Sequence, residues 1–374
     1  MRTRVCIAIL IAGAASMLAW RVMRHANDAS FSAAALKAPP LCSYEDYDFG
    51  RETNVVDIGV QPLWLPACVI SAAMQHDRVL QQTLQELGMT ARFHPFMKGA
   101  DVNTWLLNGH LEVGIGGDMP TLSAASKTNI VVATLIQQGF CSIISGHPML
   151  MADLRGKRIG YAFGSNAHFA LLNALAEADI QEEQVKLVSM DVQIMPDMLA
   201  RGVIDAFAAW EPTPSIALKT VEGSSAVQRC LTTGYMYFSG AFAKENPKTM
   251  RAIIASQVRA MHWMKADGRN LEKACGWALN GYEALSGEKS PLTRAEYADI
   301  SRSDLLGRTM TPIPPAANLI DGAPLHKEYQ FLHRQGRVST LRMWDDVKAC
   351  FENTTTEQLV KSSSSYRLNE WDFD

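Results

Sequence analysis

The chain has 374 residues, with 35 lysines and arginines against 38 acidic residues, and 48% of it is hydrophobic. That length suffices for two domains of ordinary size, and the hydrophobic share is ordinary for a globular protein. A formal net charge of −3 offers no basic field, which excludes a nucleic-acid binder.

The first element is an apolar run from Val5 to Trp20, preceded by Arg2 and Arg4 and followed by Arg21, Arg24 and His25. A positive start and an apolar run predict a signal peptide or membrane anchor over residues 1–25. Export with cleavage before Ser43 is the first reading, a retained single span the second. Cys6 lies inside the run without small-residue context, so no lipidation is predicted there. The other six cysteines, Cys42, Cys68, Cys141, Cys230, Cys275 and Cys350, show no CxxC or Cys/His spacing. They permit disulfides without specifying pairs, and isolated buried thiols are expected for most of them.

Residues 26–54 read as a linker rich in Ala, Ser, Pro and acids. Val55 to Val60 is a compact apolar strand, and Gln61-Pro-Leu-Trp64-Leu-Pro66 forms its exit loop. A helix then carries Val69, Ala72, Ala73 and Leu80 near one face and ends at Gly88. Gln61 and Trp64 thus sit at the carboxyl end of a strand, where open α/β sheets gather ligands. A core aromatic is the equal alternative for Trp64. Ala91–Phe96 is a strand, Asp101–Asn108 a short helix and Leu111–Ile115 a third strand. Gly116-Gly117-Asp118-Met119-Pro120 stops it, with Asp118 read as N-cap and Pro120 in the first turn.

Val131–Ile136 is a strand, followed after a Gln-Gln-Gly break by the apolar run Cys141–Ile144. Lys157–Tyr161 is a short strand, Phe163-Gly164-Ser165-Asn166 a tight loop, and Ala167–Ala178 a helix with Leu171, Leu172 and Leu175 on one face. The unpaired N–H groups and the dipole at such a helix start suit a small anion, although a capped helix start is common without one. Strands at Val185–Val188 and Ile204–Ala209 flank a helix at Met195–Arg201, and Trp210-Glu211-Pro212 ends the second strand. Val227–Leu231 and the aromatic Gly234–Ala243 are strands. Tyr235 and Tyr237 alternate with Met236 and Phe238, so one tyrosine is expected on the cleft side. Helices follow at Lys248–Lys265, at Leu271–Tyr282, behind the capping box Thr293–Glu296, and at Leu325–Arg334. Alternating strands and helices predict a mostly parallel sheet covered on both faces. Residues 352–374 read as a polar, poorly ordered tail.

No HExxH, GxSxG or GxxxxGK[ST] motif is present. Ser165 and His168 share a first helical turn, but no orienting acid has triad spacing. His168 is assigned a structural role first and a ligand-lining role second. No metal or cofactor is expected.

The GSNAH loop behind LRGKRIG resembles solute-binding proteins of ABC importers, of the sulfonate, taurine and nitrate type. Gly117-Asp118-Met119-Pro120 is similar to that family's Gly-Asp-x-Pro turn, and Trp210-Glu211-Pro212 to its Trp-acid-Pro turn. With the first strand and loop, four matches stand in the family's order over roughly Val55 to Lys265. The resemblance implies an α/β type II periplasmic-binding-protein fold, two doubly wound α/β domains joined by two hinge crossovers. It places domain I at 55–140 and 240–351 and domain II at 141–239. It implies that Gly117, Asp118 and Met119 from one domain and Gly164, Ser165, Asn166, Ala167 and His168 from the other hold an anion by their helix N-termini. Gln61, Trp64, Trp210 and Tyr235 would cover the rest. Glu211 would face an amine, an Arg or a backbone amide, or would cap the next segment. Partners implied are a small-molecule ligand and an inner-membrane ABC permease, with a monomer expected in the periplasm. The expected solute is an alkanesulfonate or taurine. Nitrate, bicarbonate or a pyrimidine precursor of thiamine are alternatives. A tethered sensor is a further reading, and an enzyme on the same fold is set aside because the cysteine-rich metal cluster it would need is missing.

Overall fold

The computed structural model describes residues 44–49, 54–304, 312–338 and 342–374. The predicted signal or anchor segment, Cys6 and Cys42 lie outside these residues.

One eight-stranded sheet runs through the molecule in the order β2-β1-β3-β8-β4-β7-β5-β6. Its strands are β1 (Val55–Val60), β2 (Thr90–Pro95), β3 (Val113–Gly117), β4 (Ile130–Ser145), β5 (Arg158–Tyr161), β6 (Lys186–Ser189), β7 (Ala206–Trp210) and β8 (Ser225–Ser239). β1 pairs in parallel with β2 and β3, and β5 in parallel with β6 and β7. Apolar β-branched runs such as Val55–Val60 form these strands, and β1 is buried throughout, as covered parallel sheets require.

Two strands are much longer than the rest. β4 and β8 pair antiparallel from Ile130 opposite Ser239 to Ser145 opposite Ser225. β3 joins β8 at residues 234–238, and β7 joins β4 at residues 141–145. Each long strand therefore serves both ends of the sheet. The result is the expected pair of doubly wound α/β halves joined by two crossovers. The expected break at Gln137 does not occur. Gln137 is buried at 2% exposure, and its Oε1 accepts the Ala67 N–H at 2.9 Å, so a polar side chain continues the strand with its hydrogen bond made. β8 is likewise one strand where two were expected, and after Ser239 the chain turns helical instead of extending to Ala243.

In the first half, α1 (Ala67–Gln75) and α2 (Arg78–Glu86) replace the single helix expected to Gly88. Asp77 divides them. Its Oδ1 accepts the Val79 and Leu80 N–H groups, and its Oδ2 pairs with Arg259 at 2.7 Å in a fully buried ion pair. α3 (Gly99–Leu107) and α4 (Asp118–Ala125) complete the early helices. The second half holds α5 (Asn166–Glu177), α6 (Met195–Ala200) and α7 (Thr213–Thr220). The chain then returns through α8 (Gly240–Glu245), α9 (Pro247–Ala266), α10 (Gly268–Ser286), α11 (Arg294–Asp304), α12 (Pro324–Arg334), α13 (Trp344–Lys348) and α14 (Thr354–Lys361).

Both ends of the described chain are docked. In the stretch read as linker, Tyr44 Oη donates to Asp101 Oδ2 at 2.8 Å and Phe49 stacks on Trp105 at 4.5 Å. The C-terminal stretch is not the poorly ordered tail expected. Leu359 and Leu368 are fully buried, Phe373 stacks on Trp263 at 4.3 Å, and Arg259 Nη1 donates to the carbonyls of Tyr366 and Arg367. Four serines in a row hide this in the sequence, because the anchoring residues are few and widely spaced.

Candidate functional site

A cavity of about 30 Å3 lies where the two halves meet. β3 leads from Gly117 into α4 on one side, and β5 leads through Phe163-Gly164-Ser165 into α5 on the other. Both are strand–turn–helix units, so two helix starts converge on the cavity. Gly117 has φ −66°, which any residue adopts; its glycine is required by contact instead. A Cβ there would lie 2.3 Å from Asn166 Nδ2 and 2.4 Å from its Oδ1. Asn166 Oδ1 accepts the Met119 N–H at 3.2 Å, and Asn166 Nδ2 donates to the Thr233 carbonyl at 3.3 Å. One amide side chain thus ties the α5 start to the α4 start and to a crossover strand.

Of the residues singled out in the sequence, Gln61, Trp64, Gly117, Gly164, Ser165, Asn166 and Trp210 line the cavity. Gln61 is held by a 2.7 Å bond from its Nε2 to the Ile115 carbonyl. Trp210 Nε1 donates to the Leu63 carbonyl at 3.0 Å, and Leu65 N–H donates to the Glu211 carbonyl at 2.8 Å, so the two Trp loops are tied across the halves.

The side chains of Asp118, Met119, Ala167, His168, Glu211 and Tyr235 do not reach the cavity. Asp118 is the first helical residue rather than the cap, which falls to Gly117. Its Oδ1 accepts the Met119 N–H, and its Oδ2 accepts the Thr233 N–H at 2.9 Å. Burial raises the Asp118 carboxyl to about 6 against these bonds. Met119 and Ala167 are fully buried core residues. Glu211 caps α7, accepting the Ser215 N–H at 3.2 Å. Neither strand tyrosine faces the cleft. Tyr235 Oη accepts from Thr233 Oγ1 and Tyr237 Oη donates to Asn103 Oδ1, because β8 lies in mid-sheet and is covered on both faces.

His168 takes the structural role. Its Nδ1 accepts the Gly164 N–H at 3.2 Å, and its ring packs on Tyr161 at 4.5 Å. An acceptor Nδ1 fixes the proton on Nε2. Burial first, and Arg337 second, push its pKa down to about 4, so the ring stays neutral. The Gly164 N–H expected to meet an anion is therefore spoken for. Among the described residues, the N–H groups of Asn166 and Ala167 have no protein acceptor.

Lys98, Gly99, Ala100, Pro120, Cys141, Phe163 and Thr232 also line the cavity and were not singled out. Lys98-Gly99-Ala100 follows the carboxyl end of β2 and opens α3, with Lys98 at its N-cap, so the logic applied to Gln61 would have found it. Lys98 Nζ lies 3.1 Å from Asp191 Oδ1 on the opposite half. Burial opposes its charge, but Asp101 and Asp191 outweigh that and hold its pKa above the ordinary value. Cys141 and Thr232 sit in the crossovers, where no local pattern marks them. Burial, with Asp118 as the next cause, raises the Cys141 thiol well above its usual range, so it stays protonated and is a poor nucleophile. Among the described residues no group of His, Cys, Asp and Glu has the arrangement of a metal site.

Two α/β halves with their crossovers at the back of a cleft, and a cavity between opposing helix starts, have the type II periplasmic-binding-protein fold. Residues 85–270 match the family described as NMT1/THI5 like. The taurine-binding periplasmic protein of Escherichia coli (strain K12) is 26% identical over 185 residues, which is 47% of this chain. The match spans 58% of that relative's length. The periplasmic aliphatic sulphonate binding protein of Escherichia coli superposes with a TM-score of 0.64 at 18% identity, covering 81% of this chain and 94% of that one. The periplasmic nitrate-binding protein of Synechocystis PCC 6803 superposes with a TM-score of 0.59 at 13% identity, covering 84% of this chain and 89% of that one. These relatives are binding proteins, not enzymes.

Proposed function

We propose that this protein is the extracytoplasmic substrate-binding component of an ABC importer, capturing a small anionic solute in the cleft and delivering it to a permease. One observation carries the reading: Asn166, at the first turn of α5, packs on Gly117 at the start of α4, bringing donors from both halves to one point. The free Asn166 N–H and the Lys98 ammonium supply an electropositive lining, while Trp64 and Trp210 supply apolar walls. Asp118 and Glu211, the two carboxyls of the motifs, are engaged by backbone N–H groups of Thr233 and Ser215, so neither side chain sets a negative charge in the lining. Entry of the solute would part the two halves, and their return would enclose it.

The solute class is an alkanesulfonate or taurine, in keeping with the relatives' names. Nitrate or bicarbonate is the second reading, in keeping with the nitrate-binding neighbour. Export is proposed from the Arg-flanked apolar start; among the described residues no helix is long and apolar enough to cross a membrane. Mass analysis of the N-terminus separates a cleaved form from an anchored one.

A thermal-shift screen with taurine, methanesulfonate, nitrate, bicarbonate and pyrimidine precursors tests the class. Ligand at a hundredfold excess over Kd adds about 2.7 kcal/mol of stability, a clear shift. A hit confined to pyrimidines would overturn the anion reading.

A further inference from the structure

α12 crosses the cleft. On the first half, the buried Glu328 carboxyl lies beside Asp118 at the start of α4. On the second, Phe331 meets the rings of His168 at 5.7 Å and Phe169 at 5.3 Å. The helix ends in a Schellman turn: Gly336 has φ +65°, its N–H donates to His333, and the Arg337 N–H donates to Leu332 at 2.9 Å. That turn fixes where the Arg337 side chain begins.

The Arg337 guanidinium lies over the Phe163 ring at 4.3 Å and against the open face of Gly164. A Cβ on Gly164 would fall 1.7 Å from Nη1, so two cavity-lining residues touch this cation. Among the described residues no carboxylate pairs with Arg337. Its neighbour His168 is neutral. A half-buried guanidinium with only an aromatic face for company has lost solvation without gaining a counter-charge. Arg337 does not itself line the cavity, so its charge acts on it from behind Phe163 and Gly164.

The geometry points to Arg337 as a specificity-determining residue of the cleft, selecting a bound oxyanion by its charge. This deepens the proposed function and rests on it. Arg337 lies outside the family-matched residues 85–270.

The test compares methanesulfonate with dimethyl sulfone, its uncharged isostere, by calorimetry on the full chain. Wild type should prefer the anion. Arg337→Gln should reduce that preference tenfold or more, and Arg337→Lys should restore part of it. A purely structural role would weaken both probes equally and leave the preference unchanged, which overturns the proposal while the binding-protein reading stands. Failure of wild type to bind any oxyanion overturns both. Should Arg337→Gln not fold, the side-chain NMR resonance of Arg337 in wild type decides: it should shift on adding methanesulfonate, and an unmoved resonance at saturation refutes the assignment.

Discussion

Gly117 and His168 show how single residues set the site. Gly117 is a glycine because Asn166 presses on its α-carbon, so Gly117→Ala must drive the amide, and with it the start of α5, away from α4. We expect at least tenfold weaker solute binding, about 1.4 kcal/mol or more, with the melting temperature changed little; calorimetry and a melting curve check this. His168 acts through protonation. Unfolded, it takes up a proton below about 6.5; folded, it resists until about 4. Its contribution is intact above pH 6.5 and is lost as pH falls through that window, by at most about 3 kcal/mol. Asp118, raised to about 6, acts in the opposite sense over nearly the same range. The difference between wild type and His168→Asn, which keeps an acceptor for the Gly164 N–H, isolates the histidine. Urea melts at pH 7 and pH 4.5 should show the variant losing less stability than wild type.

At the scale of elements, α12 and the C-terminal stretch are held by buried polar groups. Burial, then the Asp118 charge, raises the Glu328 carboxyl well above its ordinary value, so it keeps its proton beside Asp118. An unfolded glutamate ionises above about 4.5, hence the Glu328 contribution to stability falls as pH rises beyond that point. Glu328→Gln keeps a donor without an ionisation. It should match wild type near pH 4 and exceed it by roughly 1–3 kcal/mol at pH 8 in urea melts. Asp77 is the only carboxylate among the described residues against the buried Arg259 guanidinium, which also holds the Tyr366 and Arg367 carbonyls. Asp77→Ala leaves that cation uncompensated and should cost about 3–5 kcal/mol in chemical denaturation. What the sequence disclosed follows the same division. The β3–α4 and β5–α5 turns were legible because Gly, Asp, Ser and Asn act on their own backbone neighbours. The Glu211 cap was legible as an alternative for the same reason. The helix break at Asp77 was hidden because its cause is an arginine on α9. The role of Tyr235 was misjudged because alternation along a strand marks two faces without telling which is covered.

For the whole molecule, the balance between open and closed halves is the governing quantity. Lys98 and Asp191 span the cleft at 3.1 Å with both side chains partly exposed, so the pair is worth no more than about 1 kcal/mol and is screened by salt. Asp191→Asn should shift the ligand-free protein toward the open form, read as a larger radius of gyration in X-ray scattering. High salt should do the same to wild type and leave the variant unchanged. The overall layout was visible in the order of strands and helices, yet the continuity of β4 and β8 was not, since a polar Gln-Gln-Gly stretch looks like a loop until the partner strand is known. That continuity carries a mechanical consequence. The two halves are joined by an unbroken antiparallel ladder with irregular register at Val132/Thr134, Leu135/Gln137 and Ile143/Ile144. Rotation of one half against the other is then absorbed as twist along a ribbon instead of free swivelling at a slack tether. Such a joint behaves as a torsion spring: it returns toward its rest angle, and its backbone amides stay shielded from exchange throughout the stroke.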